Sequence, residues 1–374
     1  MDSVRQARYF VEAAAKVLDV LESFASAEEF LTITEVARRA NLTYSSAFRL
    51  LYTLERRGYV MRRPGKKKYT LSPARKRFRI GYAALNATTF HREVSASLLT
   101  AAQRLGLTLI VRANQEFNIS KALVNADQLI AERVSLLIEY QYSEVASDLI
   151  AAKCHGAGIP IIGINFALPG AYYFGGNNYQ TGALAGGFLA NYANRHWNGR
   201  ADTCLVLLPK GLTSTQETRK LGLTEALLKG LPSLRRSEIE IAPKALTIAQ
   251  GNRLTLERLK RLGASKRILI AALTDHLGLG AEKAIRSAGA ADRAVVVGQG
   301  GGKDARTRIR TGGPFKASVA FFSESYGESI LQLAIRILDG DRAPLTSYTN
   351  HVVLTRENLN EYYPDERIHP IRRT

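Results

Sequence analysis

The chain has 374 residues, too many for one ordinary domain and enough for two or three that each bury a core. Lys and Arg number 52 against 33 Asp and Glu, a net charge of +19, which favours a polyanionic partner such as nucleic acid or an anionic membrane surface. Only Cys154 and Cys204 are present, with no CxxC and no Cys/His clustering, so neither a disulfide framework nor a zinc site has support and both thiols read as small buried residues.

The start Met1-Asp2-Ser3-Val4-Arg5 lacks the basic opening and apolar run of a secretory signal, and no later apolar stretch is long enough to span a bilayer. A soluble cytoplasmic protein with no membrane partner is expected. Along the chain, Ala14, Val17, Leu18, Leu21 and Phe24 recur at helical spacing and predict a first helix with one apolar stripe. Thr32 and Glu35 form a capping box ahead of Ile33, Val36, Ala37 and Ala40, and after the turn Asn41-Leu42 a third helix carries Ala47, Leu50, Leu51 and Leu54. Two short helices joined by a tight turn make a helix-turn-helix.

Thr43 is placed to cap the third helix. That leaves Tyr44, Ser45 and Ser46 in its first turn, where free N–H groups and the positive dipole end favour a phosphate or a base edge. Phe48 and Arg49 follow one turn on. Residues 58–71 then read as two strands about the turn Pro64-Gly65, with Arg62, Arg63, Lys66, Lys67 and Lys68 at a cationic tip, which is a wing. Between residues 36 and 77 there are thirteen Lys or Arg against one acid, Glu55, a field that implies contact with phosphates and a binding affinity that falls steeply with salt.

Residues 1–71 are therefore expected to form a mainly α winged helix-turn-helix, and residues 72–77, Ser-Pro-Ala-Arg-Lys-Arg, an exposed basic linker. From residue 78 to about 365 apolar strand runs alternate with helix-length segments: 78–85, 107–111, 134–140, 160–165, 204–208, 267–273, 294–298 and 352–355. This alternation predicts an α/β domain with parallel sheets covered by helices on both faces. Gly106, Gly158, Gly263 and Gly289 each stand just before a strand, where a left-handed helix end needs a residue without a Cβ.

The stretch 16–71, above all Leu31-Thr32-Ile33-Thr34-Glu35-Val36-Ala37 and Ser45-Ser46-Ala47-Phe48-Arg49-Leu50-Leu51, resembles the DNA-binding domain of the IclR-type regulators. Asn41 stands where that family usually has Gly; Asn tolerates the left-handed region, so the turn survives. From Phe78 to about Tyr363 the order of elements resembles the two-lobed periplasmic sugar-binding-protein fold that lac-repressor-type regulators use as effector domain. The better markers are residues 157–165, 176–182, Arg219, Asp275-His276-Leu277-Gly278-Leu279-Gly280 and Val296-Val297-Gly298. The resemblance implies lobe 1 over about 78–166 and 322–350, and lobe 2 over about 167–321 and 351–365.

It also implies a ligand crevice at the carboxyl ends of the strands. Carried over by position, the crevice residues are Phe90, Tyr140, Gln141, Asn165, Arg219, Thr274, Asp275, Gln299 and Phe321. Thr274 stands where the family often has Asn, Gln299 where it often has Asp, and Phe321 where it often has Gln. These departures weaken the grip on a free pentose or hexose and admit a modified sugar, a polyol or a ligand outside the carbohydrates.

The run Gly298-Gln299-Gly300-Gly301-Gly302-Lys303-Asp304 invites a phosphate-loop reading, but Val297 occupies its first Gly position and Asp304 its Ser/Thr position, so the motif fails. The six His are scattered without metal-ligand spacing, no Ser has a nucleophile-elbow setting, and Trp197 reads as a packing residue. Three function classes make different demands on this sequence. A ligand-responsive transcription regulator, with double-stranded operator DNA, a small polar effector and a second copy of itself as partners, uses both halves. An exported solute-binding protein would need a signal peptide and no basic head. A sugar kinase with a fused DNA-binding head would need phosphate loops and a catalytic Asp. No cofactor and no catalytic residue is expected.

Overall fold

The computed structural model describes residues 11–26, 29–63, 66–72, 78–115, 117–210 and 214–366. The chain divides into two compact units between Phe78 and Arg79. The wing-tip turn Pro64-Gly65 and the linker residues 73–77 lie outside the described residues.

The first unit runs α1 (Glu12–Glu22), β1 (Leu31–Thr32), α2 (Ile33–Arg39), α3 (Tyr44–Arg56), β2 (Val60–Arg62) and β3 (Lys68–Leu71). The capping box at α2 is present: the Glu35 N–H donates to Thr32 Oγ1 at 3.3 Å, and the Thr32 N–H donates to the Glu35 carboxylate at 2.7 Å. Asn41 takes φ 53° in the turn before α3. The strands form an antiparallel sheet in the order β1-β3-β2, so the wing is tied to the strand that leads into α2. Val20, Phe24, Val36, Ala37, Ala47, Leu51, Leu54, Val60 and Tyr69 make the core. The stripe on α1 differs from the expected one. Val17, Val20, Leu21 and Phe24 face inward, whereas Ala14 and Leu18 are exposed. Ala14, Val17, Leu18 and Leu21 and, one step on, Val17, Val20, Leu21 and Phe24 both have the i, i+3, i+4, i+7 spacing, so this alanine-rich helix offers two apolar registers until a partner surface selects one.

The second unit begins β4 (Arg79–Leu85), α4 (Thr89–Leu105), β5 (Thr108–Asn114), α5 (Ile119–Ala131), β6 (Leu136–Glu139), α6 (Glu144–Gly156), β7 (Ile161–Ile164) and β8 (Tyr172–Gly175). It continues α7 (Asn178–His196), β9 (Thr203–Leu207), α8 (Ser214–Gly230), β10 (Ile239–Ile241), α9 (Ile248–Leu262), β11 (Ile268–Ala272), α10 (Asp275–Ser287), β12 (Ala294–Gly300), α11 (Lys303–Thr311) and β13 (Phe315–Ala320). Last come α12 (Tyr326–Leu338), β14 (Thr346–Tyr348), β15 (Val352–Thr355) and α13 (Leu359–Tyr362).

These strands build two sheets, ordered β14-β8-β7-β6-β4-β5 and β10-β9-β11-β12-β13-β15. All pairings are parallel except β15, which runs antiparallel along β13 at an edge. The central strands are buried on both faces, the reason they read as continuous apolar runs. The chain crosses between the lobes three times, at 175–178, 320–323 and 348–352. The first crossing corrects the expected lobe boundary near residue 166: β8 pairs with β7, Ile162 opposite Tyr172, so the first lobe keeps the chain through Gly175. In this unit four strands were not anticipated: β8, β10, β13 and β14. β10 and β14 are three-residue edge strands, too short to show a period, and their pairing is decided by neighbours already in place.

Glycine permits the closest helix contact in the second lobe. A Cβ on Gly182 or Gly186 of α7 would lie 1.8 Å from the Arg219 carbonyl oxygen and 2.2 Å from that of Leu223, so the two backbones touch and α8 holds Arg219 at a set height above the sheet.

Candidate functional sites

In the first unit, α3 buries Ala47, Leu51 and Leu54 and turns Tyr44, Ser45, Phe48, Arg49 and Tyr52 outward. Tyr44 is 58% exposed and Phe48 46%, so Phe48 belongs to the outer face and not to the core. Phe48 and Tyr52 stack at 6.4 Å, and the Arg56 guanidinium lies 6.0 Å from the Tyr52 ring. Thr43 caps the helix: the Ser46 N–H donates to its hydroxyl at 3.2 Å, and that hydroxyl donates to Ser46 Oγ at 2.9 Å. Ser46 is therefore occupied locally, whereas Tyr44 and Ser45 stand outward at the N-terminal turn. On the wing, Arg62, Arg63, Lys66 and Lys67 are exposed and Lys68 is half-buried. Arg62 lies over Tyr69 at 5.9 Å and Arg63 over Phe30 at 5.0 Å, which orients both guanidinium groups without neutralising them. Arg39 is different. It pairs with Glu29 at 2.9 Å and donates to the Ser23 carbonyl, so it braces the fold.

In the second unit a crevice opens between the lobes at the carboxyl ends of the central strands. Eight of the nine expected residues line it: Phe90, Tyr140, Asn165, Arg219, Thr274, Asp275, Gln299 and Phe321. The exception is Gln141, whose side-chain amide donates to the Ser143 carbonyl and to Ser147 Oγ and is spent on the start of α6. It lies just after β6, but a local turn claims its side chain.

The aromatic wall is built edge to face. Phe90 meets Phe321 at 6.0 Å and Tyr326 at 5.9 Å, and Phe321 meets His351 at 5.1 Å. Asn165 adopts φ 54° at the end of β7. Its Nδ2 donates to the Tyr140 hydroxyl at 3.3 Å and its Oδ1 accepts from the Gly176 N–H, which knits the crevice floor to the first crossing. Arg219 is buried. Its Nε and Nη2 donate to Asn178 Oδ1, its Nη1 donates to the Leu273 carbonyl, and its guanidinium lies 5.3 Å from the Phe321 ring.

Thr274 caps α10 by accepting from the Leu277 N–H, and Asp275 is committed to the protein as well. Its carboxylate accepts from Ser318 Oγ at 2.6 Å and from the Gly302 N–H at 2.8 Å, so it caps α11, whose N-cap residue, Gly302, has no side chain to offer. Burial still pushes the Asp275 carboxyl above its ordinary range. The glycine run follows from this arrangement: a Cβ on Gly298 would stand 2.4 Å from Asp275 Oδ1, and Gly301 donates to Ser318 Oγ. Its N–H groups serve Asp275 and Ser318 instead of a phosphate.

Several lining residues were not anticipated: His91, Tyr142, Lys210, His276 and Lys303 among them. Lys210 and Lys303 follow β9 and β12 at their carboxyl ends, so extending the strand-end rule to every parallel strand would have found both. His91 accepts from the Thr88 N–H at 3.0 Å through Nδ1, which leaves its Nε2–H to donate to the Tyr142 hydroxyl at 2.5 Å. Burial holds the imidazole neutral, its pKa lowered to about 3. Among the described residues there is no cluster of three His, Cys, Asp or Glu able to hold a metal ion, and no helix long and apolar enough to cross a membrane.

Residues 82–342 match the periplasmic binding protein domain, and residues 13–64 match the IclR helix-turn-helix domain. Among curated proteins none matches the chain. Similar solved structures include an ABC transporter periplasmic solute binding protein from Actinobacillus succinogenes 130z with bound D-allose. It is 20% identical, with a TM-score of 0.66, over 76% of this chain and 100% of that one. A solute binding protein from Bacillus halodurans C-125 with bound myo-inositol is 20% identical, TM-score 0.66, over 77% and 98%. One from Mycobacterium smegmatis with bound glycerol is 18% identical, TM-score 0.67, over 76% and 96%. At such identities the likeness speaks for the fold.

Proposed function

The chain belongs to the periplasmic binding protein domain family, with an IclR helix-turn-helix domain ahead of it, and on that footing we propose that it is a ligand-responsive transcription regulator acting in the cytoplasm. The observation that carries the reading is the pairing of two sites in one chain. One is an outward helix face flanked by a cationic wing, and the other is a two-lobed crevice with polar groups aimed inward.

Tyr44, Ser45 and Arg49 on α3 read base edges in the major groove, with Phe48 offering apolar contact to thymine methyls. Arg62, Arg63, Lys66, Lys67 and Lys68 grip flanking phosphates, while Thr43 and Ser46 set the helix start. A homodimer, or a tetramer built from dimers, places two such helices on a pseudo-palindromic operator. A sugar, polyol or related small molecule binds against Phe90, Tyr140, Asn165, Arg219, Thr274, Asp275, Gln299 and Phe321, and no chemical turnover follows. Ligand changes DNA affinity only through its differential affinity for the two lobe arrangements, a coupling of about 1–3 kcal/mol.

Fluorescence anisotropy of the full chain with labelled duplex DNA tests the reading. Nanomolar to micromolar binding at low ionic strength that weakens steeply with salt is expected. No affinity for any double-stranded oligonucleotide would sink it.

A further inference from the structure

Arg219 is only 9% exposed, yet every group it bonds is neutral: the Asn178 amide oxygen and the Leu273 carbonyl. Among the described residues no carboxylate stands within ion-pair distance of it. Three of the five N–H donors of its guanidinium are engaged, which leaves two over. A buried charge is ordinarily paired, because removing one ion from water without a counter-ion costs several kcal/mol. Of the acids that line the crevice, Asp275 is already held by Ser318 and Gly302.

Gln299 lines the same crevice as this cation. β11 pairs with β12 with Ala271 opposite Val297, and continuing that register sets Leu273, whose carbonyl holds Arg219, alongside Gln299. Gln299 is 3% exposed, lines the crevice, and among the described residues has no partner for either Oε1 or Nε2. A buried amide with both ends unmet is waiting for a group that both donates and accepts. Being neutral, it leaves the charge of Arg219 uncompensated. Lys210 and Lys303, exposed at the mouth, extend the positive lining outward, and among the described residues the acids lining the crevice with them are Asp275 and Asp304.

We propose that the effector is a small polyhydroxylated molecule bearing one anionic group, a carboxylate or a phosphate, which supplies the counter-charge that Arg219 lacks while a hydroxyl pair engages Gln299. This rests on the crevice being the effector site. The planar guanidinium fork suits either oxyanion.

Thermal shift of the full chain at constant ionic strength tests the proposal, using matched trios: glucose, glucuronate and a glucose phosphate; galactose, galacturonate and a galactose phosphate; ribose, ribonate and a ribose phosphate. In at least one trio a charged member should half-saturate the shift at a concentration about tenfold or more below its neutral parent, and the carboxylate and phosphate arms name the source of charge. Gln299→Asp, one methylene shorter, puts a carboxylate into the crevice that Arg219 lines, so the preference for the charged member should shrink by about tenfold or reverse. Because the variant keeps the cationic head, anion binding there cancels in the comparison. A neutral parent that binds wild type as tightly as its charged partners, or an unchanged preference in Gln299→Asp, overturns the proposal and leaves the sensor reading standing. Silence from every compound would overturn both.

Discussion

His351 and Asn177 tie two of the three interlobe crossings together: the Asn177 N–H donates to His351 Nε2 at 3.0 Å. That bond leaves the proton on Nδ1, which faces the Ala320 carbonyl at 3.2 Å in the remaining crossing. One imidazole thus touches all three strands of the hinge, and its ring packs on Phe321, which lines the crevice. Burial lowers its pKa, in keeping with a neutral ring that both accepts and donates. His351→Ala strands the Asn177 N–H and the Ala320 carbonyl together. A loss of about 1–3 kcal/mol in urea unfolding is expected, and an unchanged midpoint would show that water replaces the imidazole without cost.

Acid should weaken the sensor through His91. Its folded pKa of about 3 lies below the ordinary 6.5, so the unfolded chain binds the extra proton between those values. Stability is then whole above the ordinary value and drains as pH falls toward the folded one. Urea midpoints measured from neutral pH downward should decline, and the decline should flatten in His91→Gln.

Glu139 acts in the opposite direction. It is fully buried at the end of β6, accepts from Asn114 Nδ2 at 2.8 Å, and its pKa is raised to about 8 by desolvation. The folded chain therefore holds a proton that the unfolded chain releases between the ordinary value of 4.5 and about 8, and stability falls as pH rises through that window. Glu139→Gln keeps the acceptor and removes the titration. It should equal or exceed wild type in stability at mildly alkaline pH, and a variant weaker than wild type there would mean that the carboxylate is charged and needed.

Gly182→Ala forces a Cβ into the Arg219 carbonyl. Helix α8 must move, with an expected cost of about 1–3 kcal/mol from overpacking. The change also shifts the backbone of Arg219, so effector affinity should fall in a variant that still folds. Retained stability and affinity together would mean that α7 and α8 slide freely.

The wing lysines carry the electrostatic test. Lys66, Lys67 and Lys68 replaced together by Ala should weaken binding to all duplexes alike and reduce the slope of log affinity against log salt by about one for each lysine that meets a phosphate. Tyr44→Ala or Ser45→Ala should instead change the sequence preference. An unchanged slope in the first case, or uniform loss in the second, would reassign those residues.

Local chemistry was legible in the chain. The Thr32 and Glu35 cap, the helical spacing of Ala47, Leu51 and Leu54, and the β-run of residues 268–272 each depend on neighbours a few positions away, and each appears in the structure. The choice of the Val20 register on α1 over the one through Leu18 was not legible, since both are apolar and only the surface of α2 and α3 distinguishes them. The same holds for Gln141, whose amide was equally able to reach a ligand or its own turn.

What the sequence determined by itself was the class of each half: a basic helical head and an alternating α/β body, because periodicity, capping and charge density act over short spans. Which side chains meet was decided only by tertiary structure. Asp275 finds Ser318 across 43 positions and Arg219 finds Leu273 across 54, and the assembled sheet and the touching helices α7 and α8 determine that Arg219 is buried with no carboxylate of the described residues in ion-pair distance. Burial and pairing are properties of three-dimensional neighbours, and no local pattern encodes the absence of a counter-ion.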